Sequence, residues 1–110
     1  MSWLEHHKRS ERFAAQAEIS SRTALNGRDA QVLYEQAAWH EELALWDIRD
    51  KGDVRTFSIT AVSCAALYLK SGSNRRAWLV ARACQGVVQE PFGEQLLDIE
   101  RAADTEMGNT

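Results

Sequence analysis

The feature that most constrains the fold is a segment in the middle of the chain, FSITAVSCAALYL, which runs from Phe57 to Leu69 without a charged side chain. A helix that is apolar on nearly every side is covered by neighbouring elements on several faces. We therefore expect a central helix over residues 56–70. The Ser-Gly-Ser-Asn sequence at 71–74 predicts a short turn, after which a helix over residues 74–86 returns antiparallel to the central helix.

Amphipathic patterns on either side of this segment predict further helices. Ser2 and Glu5 have the spacing of a capping box, so a helix can begin almost at the first residue. Asn26-Gly27 is a suitable sequence for ending that helix. Pro91 is favoured in the first turn of a helix, where its missing amide is not needed. The further helices are predicted over residues 3–25, 29–49 and 91–104.

The composition agrees with a helical globular protein, since 45% of the residues are hydrophobic, 26% are charged and only one is proline. A chain of 110 residues can bury one modest core without a metal or a disulfide. The predicted fold class is all-α, with about five antiparallel helices. We expect a single domain over residues 1–104 and a frayed tail over 105–110.

The net charge and the two cysteines bear on the expected partners and cellular location of the chain. The formal net charge of -3 argues against nucleic-acid binding over the whole surface. The chain has no apolar run long enough to span a membrane and no apolar signal-peptide core near its start. Cys64 and Cys84 fall inside apolar helical patterns and are expected to be buried thiols rather than a disulfide. The expected location is the cytoplasm.

Small and aromatic residues on the central and fourth helices follow a known repeat pattern. Ala65, Tyr68, Gly72, Ala77 and the small Cys84 resemble the signature of the tetratricopeptide (TPR) repeat, a unit of two helices and a turn. Small residues let two helix backbones approach closely, and glycine permits the chain reversal. A second, partial match uses positions in the preceding helix and its turn: Gly27, Ala30, Tyr34 and Ala37. The alternative is a generic five-helix bundle.

The resemblance implies TPR-like helical hairpins in a short α-solenoid, or right-handed superhelix, that binds a peptide or partner helix in a groove without catalysis. The groove-side residues of the central helix would be apolar, which disfavours a clamp for a carboxylate: Ile59, Val62, Ala66 and Leu69. Such a face requires a cover, which can be the chain's own first or last helix, a second copy or a partner helix.

Two tryptophans on the second helix are further candidates for partner binding. Trp39 and Trp46 are seven residues apart and therefore lie on the same side of a helix. Tryptophan is enriched where proteins contact one another, although ordinary core filling is the alternative role.

Basic and acidic residues form two separate groups. The basic patch consists of Lys70, Arg75, Arg76 and Arg82. It is either a solvated surface partly paired with Glu90 or Glu94, or a docking site for an acidic segment or phosphate. An acidic stripe on the second helix consists of Glu35, Glu41, Glu42 and Asp47. Together the two groups could direct head-to-tail or two-fold association.

Catalytic and metal motifs are missing from the sequence. Neither the His6-His7 pair nor His40-Glu41-Glu42 has the spacing of a metal site, although a site shared between the first two helices is conceivable. Cys64 lies in the apolar helix and no histidine follows residue 40. We expect no catalytic residue, metal or cofactor.

The sequence thus predicts a non-catalytic protein–protein interaction module or adaptor that binds a partner helix or peptide, or associates with itself as a homo-oligomer. The alternative is a helical module associated with nucleic acid or phosphate through the basic patch over residues 70–82. These two hypotheses differ in their salt dependence, because binding to phosphates weakens steeply with added salt.

Overall fold

The structure, a computed structural model, describes residues 2–23, 28–51 and 53–108. Within these ranges the chain forms helices and no strand, which confirms the all-α prediction. The helices are α1 (Trp3–Thr23), α2 (Arg28–Arg49), α3 (Val54–Lys70), α4 (Asn74–Cys84) and α5 (Phe92–Glu106). The helix end predicted at Asn26-Gly27 lies outside the described residues. None of the described helices has the length and apolar character that crossing a membrane requires.

Side-chain caps explain where two of the helices begin. The Ser2 hydroxyl accepts a hydrogen bond from the Glu5 amide at 3.3 Å, as expected for the first half of the capping box. Asp53 caps α3, because its Oδ1 accepts from the amides of Arg55 and Thr56 at 3.0 and 3.2 Å. With Asp53 as the N-cap, α3 starts two residues earlier than the predicted position 56.

The connection between α3 and α4 is the predicted short turn. Gly72 has a φ of 80°, a left-handed conformation that favours glycine. The amides of Gly72 and Ser73 donate to the carbonyls of Leu69 and Tyr68, so these two carbonyls at the end of α3 have hydrogen-bond partners. The later boundaries differ slightly from the prediction, since α4 ends at Cys84 and α5 continues through Glu106.

The central position predicted for α3 is confirmed, because α3 packs against α2, α4 and α5. By contrast, α1 packs mainly against α2. The molecule measures 42 × 38 × 18 Å along its principal axes. The thinnest dimension is less than two helix diameters of about 10–12 Å each. The helices therefore form a thin array with surface clefts between neighbours.

Small side chains dominate the contacts of the central helix. The fully buried ones include Ala61, Ala65, Ala77 and Ala81, each with no exposed surface, and Cys84 is also buried. Side chains of this size allow helix axes to approach closely at native packing density. Larger residues, including Tyr68, Leu45 and Leu96, fill the remaining core space.

Candidate functional site

A surface cleft of about 400 Å³ lies between α2 and α4, with a residue of α3 between them. Its lining consists of Val32, Glu35, Gln36, Trp39, Tyr68 and Arg76. A neighbouring depression of about 220 Å³ shares Arg76 and adds Glu42, Leu79 and Val80. We call the two together the α2–α4 cleft.

Helical spacing places these residues on the same surface. Val32, Gln36 and Trp39 follow one another at intervals of three or four residues, which puts them on one side of α2. Arg76 and Val80 are related in the same way on α4. The alanines of α2 at positions 37 and 38 are turned into the core. The amphipathic pattern of α2 thus presents the cleft residues to solvent.

A hydrogen-bonded group of charged and polar side chains forms one wall of the cleft. The Tyr68 hydroxyl donates to Glu42 Oε1. Arg76 Nη1 donates to the same carboxylate oxygen at 3.3 Å and to the Tyr68 hydroxyl at 3.1 Å. The indole Nε1 of Trp46 donates to Glu42 Oε2 at 3.1 Å. Glu42 therefore contacts both α3 and α4 and holds the wall in one geometry.

The protonation states of this group are set by its surroundings. Burial, together with the hydrogen bond to Glu42, raises the pKa of Tyr68, so the phenol remains a donor at neutral pH. The hydrogen bond to Tyr68 and the charge of Glu42 raise the pKa of Arg76. Glu42 and Arg76 offset each other's charge. Since Glu35 makes no ion pair within the described part of the chain, the cleft carries a net negative charge.

The rim of the cleft is apolar and exposed. Val32, Trp39 and Leu79 have 48%, 52% and 47% of their surface exposed. The Trp39 ring contacts the neighbouring His40 ring edge-on, at 5.0 Å between centroids. The cleft thus combines exposed apolar surface with a charged wall.

The two tryptophans singled out in the sequence lie on the same side of α2 but differ in exposure. Trp39 stands at the cleft rim, whereas Trp46 is partly buried against the core. Trp46 also lies beneath the Arg49 guanidinium, 5.4 Å from its ring centroid. Trp46 therefore supports Glu42, and Trp39 is the one available for contact.

The α3 residues singled out in the sequence lie on the other side of that helix. Tyr68 follows Ile59 by nine residues, which is two and a half turns at about 3.6 residues per turn. Ile59 is 44% exposed, while Val62 and Leu69 pack against the core and Ala66 is partly buried. The structure thus does not bring these four residues together with Trp39 and Trp46 in one groove. Instead, α5 packs on α3.

The four residues of the basic patch point to different neighbours. Arg76 belongs to the cleft wall, and Arg82 pairs with Glu100 at 2.9 Å. Lys70 lies over the Tyr34 ring at 5.6 Å, and Arg75 is exposed on α4. The partners of the two paired arginines are thus Glu42 and Glu100, where the sequence pointed to Glu90 or Glu94.

Histidines from α1 and α2 meet at the contact between these helices. His6 Nδ1 and His40 Nδ1 are 3.2 Å apart. His7 lies between two carboxylates, with Glu41 at 2.8 Å and Glu11 at 2.7 Å. No group of three or more histidine, cysteine or acidic side chains in the described ranges is placed to hold a metal ion.

Both cysteines are buried thiols, as predicted. Burial and the charge of Glu42 raise the pKa of Cys84 to about 11. Burial likewise raises the pKa of Cys64, whose sulfur faces the Ala38 carbonyl at 3.7 Å. Neither thiol is ionised at neutral pH, so neither is an activated nucleophile.

The contacts of the cleft wall could not be found from local spacing. Glu42 is 26 residues from Tyr68 and 34 from Arg76 along the chain. The sequence marked Glu42 only as part of an acidic stripe and Tyr68 only as part of the TPR-like pattern. The available signal was the position of Glu42 on the same helix face as Trp39 and Trp46.

Comparison with protein-family models, with curated proteins and with solved structures gives no match to this chain.

Proposed function

We propose that the protein is a TPR-like, non-catalytic interaction module that binds a segment of a partner protein in the α2–α4 cleft. The observation that carries this proposal is the position of Trp39. It is 52% exposed at the rim of a cleft of about 400 Å³, next to a wall that is held by Glu42 and its three partners.

An exposed tryptophan beside a rigid wall is a favourable anchor for binding. Tryptophan is among the residues that contribute most to binding energy when it becomes buried in an interface. A wall that is already hydrogen-bonded loses little conformational entropy when a partner binds. Tyr68, Glu42 and Arg76 supply such a wall beside Trp39.

The charge and shape of the cleft define its occupant. Val32, Trp39 and Leu79 favour an apolar side chain, and Glu35 favours a lysine or arginine. An amphipathic helix that presents one apolar and one basic residue a turn apart meets both requirements. The proposed occupant is therefore a basic, amphipathic segment of a partner protein.

The TPR-like description is supported by the packing of α3 and α4. Ala65 and Ala77 have no exposed surface, Tyr68 is buried near the turn, and Gly72 adopts a positive φ. The proposed groove differs from the one that the resemblance implied. It lies beside Trp39, between α2 and α4, and not along the outer side of α3.

A peptide-display selection tests the proposal. Random peptides are selected on the purified protein, and the enriched sequences are measured against Trp39→Ala and Ile19→Ala. Ile19 is an exposed apolar residue, 63% accessible, that lines none of the clefts. We expect enriched peptides with apolar and basic residues that lose about tenfold or more of their affinity for Trp39→Ala and retain it for Ile19→Ala.

Two results would contradict the proposal: no enrichment over an unrelated helical protein, or equal affinity for both variants. Thermal melts of the variants serve as the folding control. Light scattering over a range of concentrations shows whether the wild-type chain associates with itself, and a dimer that dissociates in Trp39→Ala would identify a second copy as the occupant in place of a different protein.

A further inference from the structure

A second cleft lies where α1 packs against α2. Its volume is about 280 Å³ and its lining consists of Arg9, Arg12, Phe13, Gln16 and His40. The α1 residues are spaced by three or four positions and so lie on one side of the helix. We call it the α1–α2 cleft.

In the described part of the chain, no carboxylate forms a direct ion pair with the arginines of this cleft. The side chains of Arg9 and Arg12 make no ion pair or hydrogen bond with any residue that the structure describes. The nearby acids are engaged elsewhere, since Glu11 and Glu41 both contact His7. Two guanidinium groups therefore face the cleft without an anionic partner.

Further acids at the start of α1 are also engaged. The Glu5 carboxylate accepts from the Ser2 hydroxyl at 3.3 Å. Asp47 accepts from the Trp3 amide at 3.0 Å and from Lys51 at 2.9 Å. None of these carboxylates contacts Arg9 or Arg12, whose exposed guanidinium groups are free to donate to a ligand.

His40 adds a hydrogen-bonding group at the inner end of the cleft. Its side chain is only 9% exposed, and the Phe13 ring stacks on it with centroids 5.6 Å apart. Its Nδ1 faces His6 Nδ1 at 3.2 Å, and its Nε2 has no partner in the described chain. When His6 donates across this contact, the proton of His40 resides on Nε2, which then becomes a donor.

The polar side chains that line this cleft favour binding of an oxyanion over binding of a cation. Two arginines repel a metal ion from the histidine pair, and the described residues supply no third ligand. A guanidinium group donates two parallel hydrogen bonds to a phosphate, which makes arginine the preferred residue for binding this group. Phe13 supplies an apolar wall beside the donors, which suits a small organic group attached to the anion.

We propose that the α1–α2 cleft is a binding site for a small phosphate monoester, with Arg9 and Arg12 contacting the phosphate oxygens, Gln16 and His40 donating at the cleft wall, and Phe13 contacting the organic group. The site shares no lining residue with the α2–α4 cleft, although the Trp39 and His40 rings are in contact, and the proposal does not depend on the function proposed for that cleft.

The test is a titration of the isotopically labelled full chain with inorganic phosphate and with phenyl phosphate, at constant pH and ionic strength maintained with chloride. Side-chain resonances of Arg9, Arg12 and His40 report binding. We expect saturable shifts of all three with both probes, and saturation by phenyl phosphate at the lower concentration because it contacts Phe13.

Single substitutions locate the site. Arg9→Gln and Arg12→Gln should each weaken phenyl phosphate binding about tenfold or more, because a hydrogen bond to a charged group is lost. Arg75→Gln removes the same charge from an exposed site on α4 and should leave the affinity unchanged. Shifts that grow linearly without saturation, or an equal loss of affinity in Arg75→Gln, would overturn the proposal.

Discussion

The contact between α1 and α2 and the contact between α3 and α4 are built from different kinds of residue. Ser10, His40 and Glu41 are buried polar groups at the first contact. At the second, the buried residues include Ala77 and Ala81, and the helices approach through small side chains. Both regions bury apolar side chains, including Ala17 of α1, but the α1–α2 contact also buries ionisable groups close to one another. The α3–α5 block, residues 54–106, is packed mainly through apolar side chains.

The two regions also differ in how many neighbours support each helix. In the α3–α5 block every helix packs against the other two, while α1 depends mainly on α2. Separation of α1 breaks one interface, the one with α2, whereas separation of any helix of the block breaks at least two. We therefore expect α1 to open locally without unfolding of the block.

The largest effect is expected within the α3–α5 block. Leu96 has no exposed surface, and Leu96→Ala should lower the free energy of unfolding by about 2–5 kcal/mol through lost burial and a cavity. Urea denaturation measures the change. Leu79→Ala, which truncates a leucine that is 47% exposed, is the matched control and should cost much less. Similar losses in both variants would mean that Leu96 is not part of a tightly packed core.

The next effect concerns the attachment of α1. Glu41 is 1% exposed, and among the described residues only His7 hydrogen-bonds to its carboxylate. His7→Ala should therefore cost about 1–3 kcal/mol, since a buried charged group loses its partner. Hydrogen exchange should show the loss mainly in amides of α1.

The control for His7→Ala is Glu11→Ala, which removes the other carboxylate beside His7. Glu11 is 66% exposed, so its pairing should contribute less than about 1 kcal/mol. Equal losses in the two variants, or a loss spread evenly over α1 and α3, would remove the distinction between the two regions.

The two histidines His7 and His40 should make the stability of the α1–α2 contact depend on pH in opposite directions. Burial opposes the charged form of His7, but Glu41 and Glu11 outweigh it and raise its pKa above 6.5. The contribution of His7 to the free energy of unfolding is complete below pH 6.5 and is lost as the pH rises through the raised pKa. Burial and the positive charges of His6 and Arg9 lower the pKa of His40. The contribution of neutral His40 to the free energy of unfolding is complete above pH 6.5 and is lost as the pH falls through the lowered pKa.

Hydrogen exchange of α1 amides measured against pH tests these signs. We expect protection of α1 to decline on both the acidic and the alkaline side, with the acidic decline removed by His40→Gln and the alkaline decline removed by His7→Gln. Amides of α3 should respond less to both substitutions. A single decline that neither substitution alters would show that other groups control the attachment.

The smallest effect is expected at the surface of the α3–α5 block. Arg82 pairs with Glu100 at 2.9 Å, but the arginine side chain is 65% exposed. Glu100 is 9% exposed, but the glutamine of Arg82→Gln can still donate to it, so the free energy of unfolding should fall by only about 1 kcal/mol, and the loss should shrink in high salt. A loss as large as that of Leu96→Ala would show that charge pairing also holds this block together.

The helices were predictable because local signals mark them. Asp53 caps α3, Gly72 closes it, and Pro91 immediately precedes Phe92 at the start of α5. The charge-free pattern of α3 also predicted its central position, which the packing confirms. The boundaries were less exact, since α3 begins at Val54 and not at residue 56, and α5 continues to Glu106.

The cleft was less predictable than the helices. Trp39 was a sequence candidate, but its neighbours Tyr68 and Arg76 come from other helices, and the pairing of Glu42 with both depends on tertiary packing. The TPR resemblance placed a binding groove along Ile59 and Leu69. The direction of a groove, however, depends on how the helices are oriented relative to one another. Periodicity along one helix carries no such information.

The central proposal is that a partner segment binds beside Trp39, between α2 and α4. The most direct test is chemical-shift mapping with a display-selected peptide, using backbone amides and the tryptophan indole groups. The account predicts that the largest shifts occur at Val32, Trp39 and Arg76. Shifts centred on Ile59 and Leu69, across α3 from Tyr68, would contradict it.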